Sequence, residues 1–166
     1  MKLKVSELYS GFQDKFFDIS VDELPSRGTI FNDKMVSCEL SVNKEVEGYY
    51  KLTGSLKLKP SYECVRCLEL NPVDLKLPIQ FLLSNKKRTF SEENNIEILY
   101  FNDNRKYLEL DSLIADLIEL AKPIKPLCKI ECKGLCLFCG MNKNDKSCSC
   151  KSEEENRVWD KLKDFQ

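Results

Sequence analysis

Apolar and polar residues alternate over long stretches of the first half of the chain. In Met35–Val42, the residues Val36, Cys38, Leu40 and Val42 fall on one face, the period-two signature of a half-buried strand. Tyr49–Tyr62 continues the alternation, with Tyr50, Leu52, Leu56 and Leu58 prominent. Pro60 sits near the end of that run, where an edge or a bulge tolerates it. Leu75, Leu77, Ile79 and Phe81 mark another strand, Lys15–Ser20 a shorter one, and Ile96–Phe101 a further candidate. Asn43–Gly48 reads as a turn and Asn85–Arg88 as a basic loop. Near the start, Ser6-Glu7-Leu8 can open a turn of helix, and Ser20 followed by Glu23 resembles a capping box for one turn ending near Pro25. Residues 33–83 therefore read as antiparallel β.

The period changes after residue 110. Leu110, Leu113, Ile114, Leu117, Ile118 and Ala121 fall at helical spacing, which predicts a helix over Asp111–Lys122, with Asp111 as its cap and Pro123 as its stop. A second helix is predicted over Asn156–Phe165, with Val158, Trp159, Leu162 and Phe165 as its apolar stripe. Between the two helices the composition shifts to Pro123, Pro126 and six cysteines within 23 residues. The expected fold class is α+β. An antiparallel β portion with a packed helix (residues 1–121) precedes a cysteine-rich module (122–151) and a short C-terminal helix (152–166).

Composition narrows the chemistry. Apolar residues make up 42% of the 166, enough for a buried core. There is no histidine, which removes Cys2His2 fingers, histidine-based triads and histidine general bases. No Gly-x-x-x-x-Gly-Lys loop or Gly-x-Gly-x-x-Gly turn is present either. These gaps point away from catalysis and from a small-molecule substrate. The first residues hold no long apolar run and no stretch approaches 18 apolar residues, so neither a signal peptide nor a membrane contact is expected. Nine cysteines in such a chain suggest a reducing, cytoplasmic setting and metal ligation, not a disulfide scaffold.

Cys136-Leu137-Phe138-Cys139-Gly140 carries the strongest signal. Cys-x-x-Cys sets two sulfurs on one side of a tight turn, and Gly140 can take the positive φ that aims backbone N–H groups at them. Cys148-Ser149-Cys150 follows eight residues later, and two cysteines one residue apart on an extended segment point the same way. Together the four suit zinc. Cys64-Val65-Arg66-Cys67 is a second Cys-x-x-Cys, followed by Leu68 in place of glycine, with Cys128 and Cys132 as candidate partners. Closing the loop from Cys67 to Cys128 costs about 1.8 kcal/mol more than closing the eight-residue one. That is small beside the ~10–16 kcal/mol of a structural zinc site. A second metal site, packed thiols and a redox pair all remain open for these four. Cys38, on the apolar face of its strand, reads as a core residue.

Net charge is −1. From Lys122 to Lys151, however, seven lysines face only Glu131 and Asp145, an excess of +5 that leaves −6 on the remainder. Lys129, Lys133, Lys143 and Lys146 can either balance thiolate charge or contact RNA phosphates.

The order of these motifs resembles the YceD family, the large ribosomal RNA subunit accumulation proteins. The residues that carry it are Tyr62-Glu63-Cys64-Val65-Arg66-Cys67-Leu68-Glu69, a helix spelled Leu108-Glu109-Leu110-Asp111-Ser112-Leu113-Ile114 running to Pro123, and Pro126-Leu127-Cys128. They continue through Glu131 to Gly140, Asn142-Lys143-Asn144, Cys148-Ser149-Cys150, and Arg157 to Leu162. Leu137 stands where the family often has proline, and Glu155-Asn156-Arg157 where it often has Asp-Pro-Arg. Some relatives keep only the first Cys-x-x-Cys. The resemblance implies a non-enzymatic role in accumulation or processing of large-subunit (23S) ribosomal RNA. The expected partner is that RNA, a pre-ribosomal particle or a ribosomal protein. Rival expectations are a thiol-redox enzyme using Cys64 and Cys67, or a zinc-ribbon adaptor for another protein machine.

Overall fold

The computed structural model describes residues 1–45, 48–86 and 98–150. The helix expected over Asn156–Phe165, the segment 152–166, Lys87 and Arg88 of the basic loop, and the first two residues of the Ile96–Phe101 strand lie outside the described residues.

Most of the alternating runs join one large mixed sheet. Strands β1 (Lys2–Lys4), β2 (Phe12–Ser20), β3 (Ile30–Phe31), β4 (Met35–Lys44), β5 (Tyr49–Leu58), β6 (Pro60–Glu63), β7 (Leu70–Pro72), β8 (Leu75–Ser84), β9 (Ile98–Tyr100) and β10 (Tyr107–Glu109) appear in that order, with helices α1 (Val5–Ser10) and α2 (Asp111–Leu120). The large sheet runs β2-β4-β5-β8-β9, antiparallel except where β9 lies parallel to β8. Its register sets Cys38 against Leu56 and Leu52 against Phe81. The inward residues Val36, Cys38, Leu40, Val42, Leu52, Leu56, Ile79, Phe81 and Leu83 are all buried. Leu8 of α1 and Ile114 and Ile118 of α2 join them in one core, while intervening residues such as Lys57, Lys76 and Gln80 are exposed. At about 25 cal/mol per Å² of apolar surface, this face is the main source of stability. Cys38 is part of that core, and burial pushes its thiol up to about 12.

Three local expectations change. The run Tyr49–Tyr62 is two strands, because the chain leaves the large sheet at Lys59. Pro60 has no N–H to extend the ladder; it opens β6 and pairs with Phe31 in a separate sheet of order β3-β6-β7. The stretch Leu108-Glu109 is strand and not helix: β10 pairs with β1 and buries Leu108 opposite Leu3. Finally, neither expected cap forms. Ser20 precedes a single 3-10 turn, Val21–Glu23, without a side-chain cap, and Leu110, not Asp111, occupies the position before α2.

The arrangement around α2 places the site. Arg27 Nε donates to Asp116 Oδ1 at 2.6 Å and Thr29 donates to Glu119, tying the segment before β3 to the helix. The chain then runs from α2 past the β6–β7 hairpin, whose tip carries Cys64–Cys67.

Candidate metal centres

The β6–β7 hairpin forces a tight turn. Cys64 N–H donates to Glu69 O at 2.9 Å, and Leu68 N–H donates back to Cys64 O at 2.9 Å. Closing that turn requires positive φ at Leu68, which stands at 61°. The second Cys-x-x-Cys repeats the design: Gly140 N–H donates to Cys136 O at 2.9 Å with φ at 70°. The two turns are equivalent, although one uses leucine where the other uses glycine. Leucine bears a left-handed conformation at about 1–2 kcal/mol, so the missing glycine after Cys67 does not separate the two motifs.

Each turn meets a second pair of thiols. Cys64, Cys67, Cys128 and Cys132 form one tetrad and Cys136, Cys139, Cys148 and Cys150 the other, with all sulfurs of a tetrad within 4.8 Å of one another. Cys64 Sγ lies 3.8 Å from Cys132 Sγ, and Cys67 Sγ lies 3.7 Å from Cys128 Sγ. A tetrahedron with Zn–S near 2.3 Å has edges of about 3.8 Å. All eight thiols are free. The donor set therefore fits a thiolate-bound divalent metal in both places. The tetrads differ in access: Cys64, Cys67 and Cys132 are buried, while Cys139 and Cys150 are exposed.

Thiol electrostatics reflect four like groups packed together. Burial opposes ionisation of Cys64, but N–H groups of Cys128, Arg66 and Cys67 outweigh it and bring the thiol down to about 6. Asn144 holds Cys132 down, its Nδ2 donating to Sγ at 3.2 Å. Burial and the neighbouring thiols push Cys128 up to about 12. In the second tetrad, N–H groups of Cys139 and Phe138 bring Cys136 down to about 6, whereas Cys139 lifts Cys150 to about 12. Sulfurs this close resist shared negative charge, and a divalent cation removes that conflict.

The tetrads are knitted to each other. Arg66 O, inside the first turn, accepts from Leu135 N at 3.1 Å, and Arg66 Nη1 donates to Ile130 O and Cys132 O. Glu69 Oε1 accepts from Asn142 Nδ2 at 2.7 Å; Asn142 Oδ1 accepts from Asn144 Nδ2 at 2.8 Å; Asn144 reaches Cys132 Sγ. A polar relay thus joins the hairpin, the second loop and a sulfur of the first tetrad. Sequence reasoning gave Asn142, Asn144 and Glu69 no role. The signal was the pair of asparagines shortly after Gly140, residues suited to capping loop N–H groups. The first tetrad also takes its thiols from both sides of residue 121, so the hairpin and the cysteine-rich stretch share it.

Lys129, Lys133, Lys143 and Lys146 are all exposed, and none enters an ion pair among the described residues. At the tip of the second turn Leu137 and Phe138 stand 86% and 60% exposed. Asn85, at the start of the basic loop, is held by Asp103. Among the described residues no helix is long and apolar enough to cross a membrane.

The family model described as large ribosomal RNA subunit accumulation protein YceD matches residues 52–166, a span containing both tetrads. A chloroplastic large ribosomal RNA subunit accumulation protein YCED homolog 1 from Arabidopsis thaliana is 36% identical over 64 residues, covering 39% of this chain and 20% of its own length. The protein of the same description from Zea mays is 41% identical over 54 residues, covering 32% of this chain and 18% of its own. The matched part is thus about a fifth of each curated relative. No solved structure matches the chain.

Proposed function

Because this chain belongs to the YceD family of large ribosomal RNA subunit accumulation proteins, we propose that it is a zinc-binding ribosome-biogenesis factor. It supports accumulation or processing of 23S ribosomal RNA in the cytoplasm, and it does so by binding, not catalysis. The observation that carries the reading is the pair of thiol tetrads inside the matched span. Zinc held by them would supply no reaction, only cross-links worth about 10–16 kcal/mol each. Those cross-links fix the loops between Pro126 and Cys150 against the β6–β7 hairpin. A redox role for Cys64 and Cys67 alone leaves their spacing to Cys132 and Cys128 without a purpose.

The exposed lysines are assigned to phosphate contact. Two thiolate–zinc centres bring a formal −4, half of it on Cys64 and Cys67 outside that stretch, so the +5 excess between Lys122 and Lys151 falls to about +3. Attraction would therefore come from individual lysine tips within reach of phosphates and not from a broad positive field. The test is co-sedimentation with precursors of the large subunit. Changing Lys129, Lys133, Lys143 and Lys146 together to Gln should weaken association while zinc content holds. The slope of log affinity against log salt should flatten by about 0.7 for each phosphate of single-stranded RNA that is no longer neutralised. Unchanged association would assign the lysines to charge balance alone, and a normal ratio of 23S to 16S RNA in cells lacking the protein would remove the biogenesis role.

A further inference from the structure

The two tetrads differ in how far solvent reaches their sulfurs. In the first, Cys64, Cys67 and Cys132 are buried, Cys128 is half-buried, and Leu135 packs against the group. In the second, Cys139 and Cys150 are exposed. The approach beside Cys139 is open as well, since a Cβ built on Gly140 would meet nothing within 4 Å. The four sulfurs of this tetrad lie within 4.8 Å of one another, so a local movement brings Cys139 and Cys150 to the ~2.05 Å of a disulfide. The loop between Cys139 and Cys148 carries Lys143 and Lys146. Apart from the tetrad, hydrogen bonds hold that loop, among them Lys143 N–H to Gly134 O at 2.9 Å and Asn142 Nδ2 to Glu69 Oε1 at 2.7 Å. Each such bond is worth far less than a zinc cross-link.

Resting on the zinc and RNA readings above, we propose that Cys139 and Cys150 form a peroxide-sensitive modification site that controls the loop's hold on ribosomal RNA. Hydrogen peroxide gives one oxygen to the exposed Cys139 Sγ. The S–O bond forms as the O–O bond breaks, hydroxide leaves, and Cys139 becomes a sulfenic acid. The Cys150 thiolate then attacks that sulfur, forms the S–S bond and expels a second hydroxide. Two solvent protons turn the two hydroxides into water. Peroxide gains two electrons, and each thiolate gives up one. The disulfide is a poor donor to a divalent cation, so the tetrad loses two of its four ligands and releases its zinc. The loop is then left on its hydrogen bonds, and Lys143 and Lys146 lose their fixed position against phosphates. The buried first tetrad keeps its metal and with it the join between the hairpin and the cysteine-rich stretch.

The test exposes the full zinc-loaded chain to hydrogen peroxide. Zinc release is followed with a colorimetric chelator, disulfides are mapped by mass spectrometry after alkylation, and association with large-subunit precursors is read by co-sedimentation. One of two zinc ions should leave in a fast phase, together with a Cys139–Cys150 disulfide. Association should fall in step, and dithiothreitol with added zinc should restore both. A Lys143→Gln, Lys146→Gln variant should release zinc at the wild-type rate, while its weaker association no longer responds to peroxide. Loss of both ions at one rate, retention of both at millimolar peroxide, or a fast-phase disulfide between any other cysteines overturns the proposal. A fast phase that leaves association unchanged overturns the control of RNA binding. A reduced protein that never associates overturns the RNA reading instead, and the zinc and disulfide readouts still decide the modification site. A purified chain without zinc overturns the metal reading and the proposal together.

Discussion

Gly134 offers the sharpest test of the coupling between the tetrads. It lies between Cys132 of the first and Cys136 of the second, at φ 70°. A Cβ placed there would sit 2.9 Å from Arg66 O and 3.4 Å from Arg66 Cβ. That carbonyl cannot simply retreat, because it accepts from Leu135 N at 3.1 Å and belongs to the turn that aims Cys64 and Cys67. Gly140 has the same φ of 70°, but its Cβ would meet nothing within 4 Å. Gly140→Ala therefore isolates the backbone term, about 1 kcal/mol. Gly134→Ala adds overlap against fixed backbone, for a total of about 2–3 kcal/mol. For a chain of this size that means a fall in Tm of about 3 °C for Gly140→Ala and about 6–10 °C for Gly134→Ala. Gly134→Ala should also speed zinc release to a chelator from the first tetrad, since the overlap pushes on Arg66. Equal losses in the two variants would refute the argument, because the close approach to Arg66 would then carry no weight.

Two further outcomes follow from the same geometry. Leu68→Gly removes the left-handed strain of the first turn at the expense of a more flexible unfolded chain, so stability should hold or rise by up to about 1 kcal/mol in a denaturant titration; a loss above that would mean that Leu68 is held by packing despite its 57% exposure. Asn144→Ala deletes the N–H donor to Cys132 Sγ and breaks the relay to Glu69, and metal affinity at the first tetrad should fall about 10- to 100-fold in a chelator competition while the second tetrad is much less affected.

The large sheet was legible because one of its faces is buried and the other wet, so Val36, Cys38, Leu40 and Val42 advertise their register. The break at Lys59 was not, since alternation continues through Pro60 while the partner strands change. The Leu108–Leu110 stretch misled for another reason: the family-like motif placed Leu108 in the helix although it lies off the apolar stripe that begins at Leu110, and pairing with β1 decides its conformation. The two Cys-x-x-Cys motifs and their candidate partners could be read from spacing alone. The equivalence of their turns could not, because the rule that positive φ belongs to glycine hides Leu68. The relay through Asn142 and Asn144 depends on how two loops meet, and spacing along the chain does not encode that.

Metal stoichiometry tests the central claim most directly. Native mass spectrometry of the intact chain should find two zinc ions, falling to one in a Cys64→Ser, Cys67→Ser variant and to one in a Cys136→Ser, Cys139→Ser variant. A wild-type chain carrying one zinc or none, or a first pair whose loss leaves the count unchanged, would contradict two thiolate centres and reduce Cys64, Cys67, Cys128 and Cys132 to packed thiols.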